Sequence, residues 1–224
     1  MSNRSSNSKN RKRESKSYPL KCFFFIATED SKITPKYLED IFNACKISWE
    51  YIKIIPSVDG NSSPSGVIKE LKKQTKGRIV DEHDELWILV DRDRWHPQQL
   101  STLVNESIKI KAKIADSNPC FEVWLLLHSD RSDIVSIVSS CENGDHCCER
   151  IRELFGINWK NIKDGDSKVP EMHLQFPIEK AIEIAIPKAR QCDTSQDSNL
   201  IDTKGSRIYR LIESILRAKA HNTY

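Results

Sequence analysis

Short, unbroken apolar runs that alternate with helix-spaced segments constrain this chain more than any other feature. The runs CFFFIA (22–27) and LWILV (86–90) lack polar alternation and are too short for a buried helix, so they read as strands covered on both faces. After the first run, residues 34–45 place Tyr37, Leu38, Ile41, Phe42 and Cys45 at helical spacing, with Thr34 as cap and Pro35 in the first position. Further strands are expected at 49–55 and 112–115, and further helices at 67–76, 97–110 and 121–127, the last capped by Asn118 or a near neighbour. This βαβαβαβα order predicts an α/β fold in which a parallel, Rossmann-like sheet is sandwiched by helices. Past His128 the pattern turns mainly helical, with segments at 147–155, 178–189 and 206–218 separated by exposed connections at 158–176 and 191–204. The expected organisation is a basic tail over 1–17, an α/β core over 18–130 and a helical extension over 131–224.

The tail carries six basic side chains (Arg4, Lys9, Arg11, Lys12, Arg13 and Lys16) against Glu14 alone, so the remainder of a chain of net charge +3 is slightly acidic. Such an arm either neutralises nucleic-acid phosphates or is simply solvated. No apolar run approaches the roughly 18 residues of a membrane span, and the N-terminus has no apolar signal region, so a cytoplasmic protein is expected. The seven cysteines are odd in number and irregular in spacing, which favours reduced thiols. Cys141, His146, Cys147 and Cys148 lie close in sequence but lack the two spaced ligand pairs of a zinc site.

The chemistry points to the end of the LWILV run. Asp91 and Asp93 follow it, and residues i and i+2 share one face of an extended strand, so both carboxylates can converge on a hard divalent cation while Arg92 points away. The alternative is a pair of turn formers. Open α/β sheets place their sites at such C-terminal strand ends. Glu122 reads either as a first-turn helix acid favoured by the macrodipole or as a further carboxylate of the site. His128 reads as a hydrogen-bonded structural histidine or a secondary site residue. Lys69, Lys72, Lys73 and Lys76, with Arg78, form a basic stretch suited either to a phosphate backbone or to solvent. No P-loop is present.

Three features together resemble the RloB-like family: Glu29 after the first strand, the Asp91-Arg92-Asp93 signature, and the string SNPCFEVWLLLH (117–128). Lys32, Pro35, Tyr37 and, more loosely, Leu38 fall in register with the family's opening motif, and KGSRIYRLIESI (204–215) is similar to part of its helical remainder. Asp30 stands where the family has Gly, and Thr34 where it has a second Glu. The resemblance implies a Toprim-like core. It also implies a metal-dependent nuclease acting on DNA or RNA, with Glu29, Asp91 and Asp93 as catalytic and metal-binding residues for Mg2+ or Mn2+. Glu122, Asn118, His128 and Lys32 become secondary candidates. The implied setting is an antiphage, abortive-infection system with an ABC-type AAA ATPase as partner. The competing implication is a catalytically degraded Toprim module that serves as a scaffold subunit of such an ATPase complex.

Overall fold

A computed structural model describes residues 22–58, 63–77, 83–158, 176–194 and 200–221. The tail expected over 1–17, Arg78 and nearly all of the 158–176 connection lie outside the described residues.

The two apolar runs form β1 (Phe24–Thr28), buried throughout, and β3 (Glu85–Asp91), buried at its five central positions. β2 (Ile52–Pro56) and β4 (Lys113–Asn118) pair parallel with them. A two-residue strand, β5 (Gly205–Ser206), adds antiparallel to β4, and the five-stranded order is β2-β1-β3-β4-β5. Helices α1 (Ile33–Ala44), α2 (Pro64–Thr75), α3 (Pro97–Lys109) and α4 (Glu122–Leu126) follow β1 to β4 in turn. Beyond them come α5 (Ile134–Ser139), α6 (Gly144–Phe155), α7 (Ile178–Cys192) and α8 (Ile208–His221). The molecule is therefore α/β, with a mostly parallel sheet flanked by helices.

Successive strand residues face opposite layers. Phe24, Ile26, Trp87, Leu89 and Ala115 pack into one core with side chains of α1, α4, α7 and α8. Phe25, Ala27, Leu86, Ile88 and Val90 face the other way, against Val67, Ile68 and Leu71 of α2 and Leu103 of α3. Strands buried on both sides need apolar residues at every position, which is why the runs are unbroken.

Three expectations change. The strand expected at 49–55 begins only at Ile52, because Trp49–Tyr51 forms a 3-10 turn capped by the Ser48 hydroxyl. Asn118 does not cap α4; it is the last residue of β4, and its side-chain amide donates to the Thr203 carbonyl at 3.0 Å. The described part of 191–204 is not an exposed connection, since α7 runs to Cys192 and both Asp193 and Ile201 are buried.

The strand order carries the consequence for function. From β1 the chain steps outward to β2, then returns across β1 to β3. The direction reverses between β1 and β3, which leaves a crevice beyond their C-terminal ends.

Candidate functional site

Glu29 and Asp91 flank that crevice. Glu29 is the first residue past β1, and its N–H donates to the Leu89 carbonyl at 3.1 Å, extending the ladder one step. The Asp91 N–H in turn donates to Glu29 Oε2 at 2.9 Å, and the Trp95 indole N–H reaches the same oxygen at 3.1 Å. Asp91 shares the strand parity of Trp87 and Leu89, so its side chain falls on the face covered by α1 and α4. There it meets Glu122, which opens α4 and is only 1% exposed. The Cys120 thiol hydrogen-bonds Glu122. Glu29, Asp30, Asp91 and Glu122, together with the cations Lys32 and Arg94, line a cavity of about 330 Å3.

The charges inside it are in conflict. Burial pushes the Asp91 carboxyl well above the usual range, and the negative charges of Glu122, Glu29, Asp93 and Asp30 add to the effect. Burial also raises Glu29, opposed by the Asp91 and Trp95 donors and by the Arg94 charge.

Asp93 departs from the expected convergence. The strand ends at Asp91 and the chain turns, so the i, i+2 relation no longer holds. Asp93 contributes charge, but its carboxylate is absent from the cavity wall, and Oδ2 accepts the Gly144 N–H at the start of α6 at 3.3 Å. Asp30, by contrast, lines the cavity yet directs its carboxylate to α1: Oδ1 accepts the N–H groups of Lys32, Ile33 and Thr34 at 2.9, 2.6 and 3.1 Å. It caps the helix in place of Thr34.

The other candidates scatter. His128 lies in the core, where Nε2 is 2.9 Å from the Tyr37 hydroxyl, itself bonded by the Trp124 indole at 2.6 Å. Lys72 pairs with Glu106 of α3 at 2.5 Å, and Lys73 with Glu70 at 3.4 Å. Gln74 beside them accepts from Lys53, near the start of β2, at 2.7 Å. Because α2 runs antiparallel to the strands, Lys72, Lys73 and Lys76 lie toward the edge of the sheet opposite the cavity, with Lys69 one turn nearer. The Cys141 and Cys147 thiols meet in the core, Cys147 also touching Cys120, while His146 is exposed, so the four residues do not gather as one ligand set, and all seven cysteines are free thiols.

Among the described residues, no three His, Cys, Asp or Glu side chains stand as a ready-made metal-holding group. The cavity still suits magnesium or manganese in kind, with oxygen donors alone and excess negative charge. Magnesium is commonly held by one or two carboxylates plus water and substrate phosphates rather than by an all-protein cage. Trp95 and Arg94 escaped the sequence reading, and nothing local marks Trp95, whose partner lies 66 residues away. Among the described residues, no helix is long and apolar enough to cross a membrane.

Searches of curated proteins and of solved structures returned no match. A scan against family models matches residues 24–215, most of the 224-residue chain, to the model described as RloB-like protein. That span takes in both cores and every strand of the sheet, and the chain belongs to the RloB-like protein family.

Proposed function

We propose that this protein is a magnesium- or manganese-dependent nuclease with a Toprim-like core, hydrolysing a phosphodiester of DNA or RNA as the effector of an antiphage system under an ABC-type ATPase. The observation that carries the reading is the meeting of Glu29, Asp91 and the buried Glu122 on one cavity at the point where strand order reverses. Acids so placed repel one another, and a divalent cation relieves that repulsion. When bound, the cation would polarise the phosphodiester and lower the pKa of an attacking water. Asp91 and Glu122 would hold it. Glu29 has Oε2 engaged by two N–H donors and would use Oε1 to handle a proton. Lys32 and Arg94 at the cavity wall offset the charge of an incoming phosphate. The defence setting and the ATPase partner are supported by membership of the family alone.

The test compares wild type with Asp91→Ala and Glu122→Gln on DNA and RNA substrates, with either metal present. Both variants should lose cleavage while keeping a cooperative unfolding transition, and cells carrying Asp91→Ala should lose protection against phage. Retained cleavage in both variants removes this site. A second reading, a scaffold subunit without catalysis, is favoured by the capping role of Asp30 and by the lack of a ready-made metal group among the described residues. It predicts that Asp91→Ala protects as well as wild type.

A further inference from the structure

The two oxygens of Glu29 have different surroundings. Oε2 accepts both the Asp91 backbone N–H at 2.9 Å and the Trp95 indole N–H at 3.1 Å, and Oε1 accepts neither. One donor pins an oxygen but lets the carboxylate swing about it, whereas two donors from separate groups fix its plane. The second donor stands on a firm mount. Trp95 belongs to the short loop between β3 and α3, and its backbone N–H closes onto the Arg92 carbonyl at 3.4 Å. In that loop the Arg92 N–H donates to the Ser117 and Pro119 carbonyls at 3.0 and 2.9 Å, and the Asp93 N–H to Pro119 at 3.0 Å. The Arg92 guanidinium bonds the Ile201 carbonyl, and the Asp93 carboxylate holds the first residue of α6. The loop is thereby tied to β4, to the segment before β5 and to α6, and the indole delivers that fixed position to Glu29.

We propose that Trp95 is a positioning residue: its indole N–H and the Asp91 amide clamp Oε2 of Glu29 and turn Oε1 to the cavity. The assignment rests on the reading of the cavity as the reaction site. Asp93 and Arg94 of the same loop also act on Glu29 by charge, and Asp30, Asp91 and Glu122 line the same cavity, but none of these supplies a second directed side-chain donor.

The 224-residue chain with Mn2+ provides the test. Trp95→Phe keeps an aromatic ring and removes the donor, so kcat should fall by about 10- to 100-fold with KM nearly unchanged. A readout independent of catalysis is the indole N–H resonance of Trp95. It should shift on Glu29→Gln, because a neutral amide is a weaker acceptor than a carboxylate. Wild-type cleavage by Trp95→Phe, a rise in KM at constant kcat, or a Trp95 resonance indifferent to Glu29→Gln each overturns the clamp. If wild type cleaves nothing, the nuclease reading falls, and the resonance alone decides the clamp. If Trp95→Phe fails to fold, the same resonance, measured with Trp95 intact, decides between clamp and no clamp.

Discussion

Asp30 and Glu29 are neighbours in sequence with opposite duties. The Glu29 carboxylate faces the cavity and the β3 loop, while that of Asp30 takes three N–H groups at the start of α1. Replacing Asp30 with Ala should therefore lower stability by about 1 kcal/mol, read from urea unfolding. An unchanged midpoint would show that the bonds contribute nothing net. The Gly-to-Asp departure from the family pattern is visible in sequence, but its meaning is not, because a capping bond depends on where the helix starts. The strand-end positions of Glu29 and Asp91 are readable, since each closes an apolar run. Asp93 is misplaced by a single turn: alternation predicts a shared face only while the backbone stays extended, and β3 stops at Asp91.

The strands and the first three helices follow patterns that sequence displays openly, and two elements do not. α5 (IVSIVS) spans only six residues and is rich in β-branched side chains, which favour strands, and β5 is only two residues long. β5 exists through long-range contacts. Gly205 within it sits so near α7 that a Cβ would lie 2.7 Å from Cys192 Cβ and 3.0 Å from Ile201 Cδ1. Gly205→Ala should destabilise by about 1 to 3 kcal/mol through overpacking, measurable by thermal or chemical unfolding. The segment before β5 is held by Asp116 of β4, whose Oδ2 accepts the Ile201 N–H at 2.9 Å. Burial raises the Asp116 carboxyl to about 6, against the pull of the Ile201 bond and of Arg207 and Arg92. A raised acid favours folding while protonated, so its contribution is full below about pH 4 and is lost as pH rises through about 6. Asp116→Asn should remove its share of that loss, seen as unfolding midpoints that fall less steeply between about pH 4 and 6 than those of wild type.

At the scale of the whole molecule, the last elements of the chain complete the fold that the first ones begin. Ile208, Leu211, Ile212 and Ile215 of α8 share one core with Phe24 and Ile26 of β1. Their approach is fixed by the buried pair of Arg207 and Asp193, 2.9 Å apart, joined by the Tyr209 hydroxyl and by Arg210. Burial works to raise the Asp193 carboxyl, but the Arg207 and Tyr209 bonds and the charges of Arg207 and Arg210 outweigh it and hold the group low. Its stabilisation is thus present above about pH 4 and is lost as pH falls through the lower folded value. Asp193→Ala strands a buried guanidinium and should cost about 3 to 5 kcal/mol. Circular dichroism at neutral pH would show a much lower melting temperature, and a wild-type melting point would refute the role. The placement of β5 has a further consequence, for association between copies. A sheet with a free margin can recruit a strand from another chain and grow into an aggregate. Here one margin ends in a strand of only two residues, and the opposite strand, β2, carries an exposed Lys53 and closes on Pro56, which has no N–H to offer. Neither border of the sheet is a good template for strand recruitment, so self-association through it is disfavoured at both ends.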